Sequence, residues 1–191
     1  MSDVKNILLV GVGGQGTILA SKILSEGLAE VGHDVKMAEI HGMSQRGGDV
    51  STQVRYGTKV DSPIMGEGAA DIIVAFEKLE ALRWIAYLKP GGKLVVNDYE
   101  IPTVPILIGA ETYPDDILET LKAVADTVVI SAGDIAEKLG NAKTMNLVLL
   151  GALVKGMQLQ DLNWKDLVRR HVKADFVEIN QRAFEAGLAS L

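Results

Sequence analysis

The chain has 191 residues, of which 48% are hydrophobic but only 5% aromatic, with a formal charge of -6 and no cysteine. That length suits one domain, spanning 1–191, with a single sizeable core, and the shortage of aromatics means the core is built from Ile, Leu, Val and Ala, as where helices pack on a largely parallel sheet. The acidic balance excludes the clustered Lys and Arg of a nucleic-acid binder, and without cysteine this chain cannot form disulfides, hold an iron–sulfur cluster through thiolates or offer a thiol nucleophile.

Ile7 to Val10 is a short apolar run ended by glycines, which predicts a strand buried on both faces. It is too short for a signal-peptide core, and no apolar stretch approaches the roughly 20 residues that span a bilayer, so a cytoplasmic location with no membrane partner is expected. From Gln15 to Val31, Leu19, Ile23 and Leu28 recur at near-helical spacing, joined by Ala20, Leu24 and Val31, and Gly32 supplies the stop. Val35 to Ile40 reads as the second strand of an opening βαβ unit. Val50, Thr52, Val54 and Tyr56 alternate with Ser51, Gln53 and Arg55, which predicts an edge strand with one face less buried and an antiparallel option.

Asp71 to Phe76 reads as another buried strand, Lys78 to Leu88 as a helix, and Pro90-Gly91-Gly92 as a turn into the strand Lys93 to Asp98. Pro102, Pro105, Gly109 and Pro114 break the next stretch into a loop with a short extended piece over Val104 to Ile108. Asp115 to Ala125 reads as a helix and Thr127 to Ile130 as the last central strand. Helices follow over Asp134 to Leu139, Lys143 to Met157, Trp164 to Arg170 and Asp175 to Leu188. The alternation predicts a three-layer α/β/α Rossmann-like domain whose sheet is mainly parallel with room for a mixed strand.

Gly11-Val12-Gly13-Gly14-Gln15-Gly16 matches G-x-G-x-x-G directly after a strand and directly before a helix, the context that gives this pattern meaning. Glycines permit positive φ and close approach, while orphan N–H groups of the helix start favour an anion such as a pyrophosphate. The bland alternative is a tight turn that lets helix pack on strand. A Walker A loop needs Lys after the final glycine, where this chain has Thr17, so an ATPase is excluded. A nicotinamide-binding unit or a methyltransferase would use an acid at the end of the second strand, and Glu39 stands near that place. The methyltransferase reading also draws on Leu88 to Leu94, but lacks its usual acid before the glycine loop.

The other unusual segment is Glu39-Ile40-His41-Gly42-Met43-Ser44-Gln45-Arg46-Gly47-Gly48, a polar loop expected on the same edge of the sheet. His41 is a candidate general acid or base, and Arg46 a candidate partner for carboxylate or phosphate, with Ser44 and Gln45 supplying hydrogen bonds. The alternative is a capped surface turn carrying a solvated Arg.

The pair of loops, Gly-Val-Gly-Gly-Gln-Gly at 11–16 and His-Gly-Met-Ser-Gln-Arg-Gly-Gly at 41–48 followed by Val54-Arg55, resembles the gamma-type domain of 2-oxoacid:ferredoxin oxidoreductases, and within that family the beta subunits acting on indolepyruvate. The likeness continues through Ser62-Pro63, Ala70-Asp71, Phe76-Glu77, Glu80-Ala81, Val96-Asn97, Tyr113-Pro114 and Asn146 with Leu150-Gly151-Ala152. It implies oxidative decarboxylation of an arylpyruvate to an acyl-CoA, with electrons passed to ferredoxin. It also implies a larger alpha subunit that carries thiamine diphosphate and the iron–sulfur clusters, while this chain holds no cofactor alone. His41 and Arg46 would then shape the pocket. Gly11, Gly13, Gly14, Gln15 and Gly16, with Gly42, Met43, Ser44, Gln45, Gly47 and Gly48, would line it toward cofactor or CoA. A free-standing NAD-dependent oxidoreductase, an S-adenosylmethionine-dependent methyltransferase and a non-catalytic docking module stay open as alternatives.

Elsewhere, His33 and His171 read as solvated and no metal spacing emerges. Asp115 and Asp116 suit a helix start, and Met37, Met65 and Met157 suit packing. Phe176, Ile179, Ala183 and Phe184 form a stripe that faces either the domain's own core or the alpha subunit. Asn146 could cap or hydrogen-bond near the cofactor edge.

Overall fold

The computed structural model describes residues 3–42 and 48–191. Strands β1 (Lys5–Val12), β2 (Asp34–His41), β3 (Asp49–Gly57), β4 (Ala70–Ala75), β5 (Leu88–Asn97) and β6 (Asp126–Ile130) form one sheet in the order β2-β3-β1-β4-β5-β6. β3 runs antiparallel to both neighbours, while β1, β4, β5 and β6 pair in parallel. The expected mixed, mainly parallel sheet is therefore present.

Successive residues of the central strands point to opposite faces, and both faces are covered. Ile7 and Leu9 of β1, Ile72 and Val74 of β4 and Val95 of β5 belong to one core. It is closed by α1 (Thr17–Glu30), α5 (Ala132–Leu139), α6 (Met145–Gly156), α7 (Trp164–His171) and α8 (Val177–Leu188). Leu8, Val10, Ile73, Ala75, Leu94 and Val96 point the other way. There they meet α2 (Lys78–Trp84) and α4 (Ile117–Val124), the latter through Ile117 and Leu121. This is the three-layer arrangement the alternation predicts.

On the first face α6 and α8 cross without room for side chains. A Cβ on Gly187 would stand 1.9 Å from the Val148 carbonyl oxygen, and one on Gly151 would stand 2.1 Å from that of Phe184. Glycine here lets two backbones touch, which brings Val148, Phe184 and Ala183 into the same buried layer.

Four expectations are corrected. β3 is not an edge strand: it lies between β2 and β1, and β2 is the edge. Nor is one of its faces much less buried, because segment 58–69 folds over it, the Met65 N–H donating to Gln53 Oε1 at 2.7 Å and Arg55 Nη1 to the Ser62 carbonyl at 2.8 Å. Pro90 to Gly92 does not turn into a later strand but lies within β5, where the pairing with β4 shifts register between Ala70 and Ile72. Residues Val104–Leu107 form a one-turn helix, α3, rather than an extended piece; Pro105 sits in its first turn, where the missing N–H has no intrahelical partner to lose. Thr127 to Ile130 belongs to an edge strand, β6, not a central one.

Candidate functional site

At the carboxyl end of β1 the chain must leave the sheet and enter α1 within a few residues. Gly14 and Gly16 have φ of 101° and 82°, values L side chains rarely adopt, and Gly16 is the N-cap of α1. A Cβ on Gly16 would lie 2.6 Å from Asn146 Nδ2. The Asn146 amide in turn donates to the Gly16 carbonyl at 3.3 Å, so α6 braces the loop from behind.

Gly11 and Gln15 have a structural task. A Cβ on Gly11 would meet Gln15 Oε1 at 2.7 Å and Phe76 Cβ at 2.9 Å. The Gln15 carboxamide accepts from the Val12 N–H at 2.7 Å and donates to the Phe76 carbonyl at 2.9 Å, tying the loop to the end of β4. Gln15 is thus occupied as a brace and Gly11 as a close-packing position. Of the other glycines, Gly14 is exposed, while the Gly13 N–H is taken by the Gly48 carbonyl and the Gly16 carbonyl by Ala20 and Asn146.

The loop opens on a cleft of about 650 Å³, lined on its other sides by Tyr99, Ile101, Gly133, Glu137, Lys143 and Met145. It sits outside the carboxyl ends of the parallel strands. There the connection after β1 leads to one side of the sheet and that after β4 to the other, the switch point where open α/β sheets bind ligands. α1 begins at this cleft with no side-chain cap and no acid in its first turn, so its N–H groups are available to an anion. Lys143 adds a cation on the rim, where it is exposed. Periodicity carries no sign of these lining residues, because Tyr99 and Ile101 arrive from the connection after β5, and Lys143 and Met145 from the turn that enters α6.

The cleft's far wall is fixed by a buried carboxylate. Glu77, 1% exposed, accepts from the Glu80 N–H at 2.9 Å through Oε2, and from Tyr113 Oη at 2.5 Å and the Ile101 N–H at 3.2 Å through Oε1. Burial pushes the Tyr113 phenol up, and its hydrogen bond to Glu77 pushes it further, so it stays a donor. Lys78 holds the same segment through Asp98 at 3.2 Å and Glu100 at 2.5 Å. Asn97, fully buried, donates to the Phe76 carbonyl at 3.1 Å and accepts from the Ala132 N–H at 2.9 Å, joining β4, β5 and the start of α5. Glu80 is also buried, with Oε2 unpartnered; burial pushes its carboxyl up, against the Arg83 guanidinium that pulls it down.

The second loop meets the first through backbone, the Gly13 N–H donating to the Gly48 carbonyl at 2.9 Å; across the base of the second loop the Gly42 N–H donates to the Asp49 carbonyl at 2.9 Å. Met43, Ser44, Gln45, Arg46 and Gly47 lie outside the described residues. His41 is exposed at the outer edge of β2, 3.6 Å from Glu39 Oε2, and is not among the described residues lining the cleft. Glu39 stands on β2, which antiparallel β3 separates from β1. Two strand spacings of about 4.8 Å place it roughly 10 Å from the glycine-loop strand, unlike a dinucleotide fold in which the acid's strand adjoins the first. The nicotinamide and methyltransferase readings lose their key acid for this reason.

His171 is not solvated as expected: it is half-buried and 2.5 Å from Glu26 Oε2. The α8 stripe splits, Ala183 and Phe184 entering the core while Phe176 is 46% exposed. Among the described residues no three His, Asp or Glu side chains gather to hold a metal ion, and no helix is long and apolar enough to cross a membrane.

A protein-family model described as pyruvate ferredoxin/flavodoxin oxidoreductase matches residues 6–190. Indolepyruvate oxidoreductase subunit IorB of Thermococcus kodakarensis is 39% identical over 191 residues, covering 96% of this chain and 94% of its own. The IorB subunit of Pyrococcus horikoshii gives the same identity and coverage. Among solved structures, the gamma subunit of a keto/oxoacid ferredoxin oxidoreductase from Geobacter sulfurreducens superposes with a TM-score of 0.70 at 25% identity, covering 97% of each chain. The resemblance carried by the paired loops is thereby matched along nearly the whole chain, and the chain belongs to the pyruvate ferredoxin/flavodoxin oxidoreductase family as a subunit of its multi-subunit complexes.

Proposed function

We propose that this chain is the small subunit of an arylpyruvate:ferredoxin oxidoreductase, with indolepyruvate as the favoured substrate class, acting in the cytoplasm as one domain docked on a larger alpha subunit. In the reaction the 2-oxoacid loses carbon dioxide, its acyl group is joined to CoA sulfur, and the released electron pair goes to ferredoxin. Thiamine diphosphate in the alpha subunit supplies the carbanion stabilisation that decarboxylation needs, and iron–sulfur clusters there carry the electrons. The absence of cysteine from the 191 residues fits a division in which the clusters are held elsewhere.

The observation that carries this reading is the cleft itself. The uncapped start of α1, the positive-φ glycines and exposed Lys143 face one open space at the switch point of the sheet. Such a surface binds an anionic group of CoA or of the 2-oxoacid while Tyr99, Ile101 and Met145 exclude water beside it. Arg46, two positions before Gly48 in the sequence, is the second cation this reading assigns to that anion. His41, exposed and outside the described lining of the cleft, is given no proton-transfer role in this reading. Subunit preparations carrying Lys143→Ala or Arg46→Ala, reconstituted with the alpha subunit, should assemble normally and raise the KM for CoA or arylpyruvate about tenfold, one charge-assisted contact. Unchanged KM and turnover for both substrates in both variants would refute the anion site. Activity with no arylpyruvate in the assembled wild-type complex would refute the substrate class.

A further inference from the structure

Between β5 and α4 the chain builds an element that buries nothing of its own. Val104, Leu107 and Ile108 are 68%, 71% and 74% exposed, and α3 has no buried side chain. From Val104 to Ala110 the sequence holds no polar side chain, and only Ile106 among these residues is partly covered. Apolar surface of this kind costs free energy in water unless a partner covers it. Backbone bonds fix its shape: the Leu107 N–H donates to the Thr103 carbonyl at 2.9 Å, that of Ile108 to Val104 at 3.1 Å and that of Ala110 to Pro105 at 2.9 Å. On either side the chain is tied to buried Glu77, through the Ile101 N–H before the turn and the Tyr113 hydroxyl after it. The apolar turn is therefore held outward as a preformed knob, which lowers the ordering cost of binding.

The chain around the knob has one sign of charge. Between Ile101 and Leu121 there is no Lys, Arg or His. Glu111, whose N–H bonds the Pro105 carbonyl at 3.2 Å, follows the knob directly, and Asp115, Asp116 and Glu119 come next. All four are exposed, and none takes part in an ion pair among the described residues. Asp116, at the N-cap of α4, makes no side-chain cap bond. Asp98 and Glu100, by contrast, are paired with Lys78.

We infer that α3 is the knob by which this chain docks on the larger subunit of its complex, entering an apolar socket whose rim offers Lys or Arg to Glu111, Asp115 and Asp116. This rests on the reading that a larger subunit carries the chain, and it assigns the surface that does so. A chain that is one subunit of a multi-subunit complex has a partner to cover such a surface. An apolar centre inside a charged rim is the anatomy of a specific protein interface. The charge selects the occupant. A second copy presenting the same surface across a two-fold axis would set Glu111 and its neighbours against their own kind, and an anionic lipid surface would repel them. The position agrees: Tyr99, 44% exposed, and Ile101 line the glycine-loop cleft and lead directly into α3, so the knob and the cleft wall form one continuous surface.

The test measures assembly of the full chain with the larger, thiamine-dependent subunit by calorimetry and sedimentation, for wild type, Leu107→Asp, Glu111→Lys and Val31→Asp. Val31, 53% exposed at the end of α1 away from the cleft, is the control for an apolar surface residue elsewhere. Circular dichroism checks the fold of each variant. Leu107→Asp should weaken assembly about thirtyfold or more, the loss expected of an interface anchor. Glu111→Lys should weaken it several-fold at low salt and little at high salt. Val31→Asp should leave it unchanged, and exchange of the Leu107 and Ile108 amide hydrogens should slow on assembly. Equal assembly of wild type and Leu107→Asp, or equal weakening by Val31→Asp, would overturn the inference and leave the subunit role standing. Failure of the wild-type chain to bind the larger subunit would overturn both. Self-association of the chain alone that Leu107→Asp abolishes would give the surface to a second copy and overturn the inference as well.

Discussion

Asn97 offers the sharpest test of how the cleft is held together. It is fully buried, its amide donates to the Phe76 carbonyl and its carbonyl accepts from the Ala132 N–H, so one side chain satisfies groups on β4 and at the start of α5. Asn97→Asp keeps the shape and the acceptor but removes the donor and sets a carboxylate against a carbonyl oxygen. The Phe76 oxygen retains the Gln15 bond, so the loss is chiefly the cost of a buried, poorly matched charge. That is about 3 kcal/mol at neutral pH, or a fall in Tm of about 6–12 °C for a chain of this size. The sign with pH is fixed by linkage. The introduced carboxyl is neutral in the fold when it donates to Phe76, so its folded pKa lies above the unfolded value of about 3.9. Stability is therefore lost as pH rises from the unfolded value through the folded one, and regained on acidification. Urea denaturation of wild type and variant at several pH values measures the difference. A variant as stable as wild type at pH 8, or a deficit that does not shrink toward acid pH, would refute the bridging role.

Three further substitutions test other parts of the same argument. Gly187→Ala should cost about 2 kcal/mol or more despite alanine's better helix propensity, because the Cβ would meet the Val148 carbonyl oxygen and the helices must part; wild-type stability in urea would show that α6 and α8 do not touch. In Glu80→Gln the raised carboxyl of the wild type is removed, so the variant's Tm relative to wild type should climb as pH rises above the ordinary glutamate value of 4.5; a pH-independent difference would contradict the burial. Tyr113→Phe deletes the donor to Glu77 and should cost about 1 kcal/mol while speeding protease cleavage within residues 98–116; unchanged cleavage would mean that Glu77 does not anchor that segment.

Much of the local structure was legible because each signal was local. The apolar run at Ile7 to Val10 requires a strand covered on both sides, and the glycines after it require a sharp exit into α1. The lack of cysteine rules out thiolate-held clusters in this chain whatever its fold. The paired loops carried the family resemblance, and the Gly13 to Gly48 hydrogen bond does bring their backbones together.

Other properties depended on contacts between residues far apart in sequence, which period and composition do not encode. Alternation marks Val50 to Tyr56 as a strand, but only the pairing of β2 on its outer side makes it interior, and only segment 58–69 folding over Gln53 covers its second face. Glu39 has the right spacing for a dinucleotide acid, yet inserted β3 moves it away from β1. Gln15 belonged to a ligand-binding pattern and proves to be a brace on Phe76. Asn146 reads from sequence as able to cap or hydrogen-bond near the cofactor edge; that it bonds the Gly16 carbonyl, 130 residues away in sequence, is set by the packing of α6 under the loop. Sequence alone determined which elements form and which family they resemble, since propensity and motif act over a few residues. Which side chains meet at the cleft was decided only by the order of strands in the sheet and by the helices that close on it.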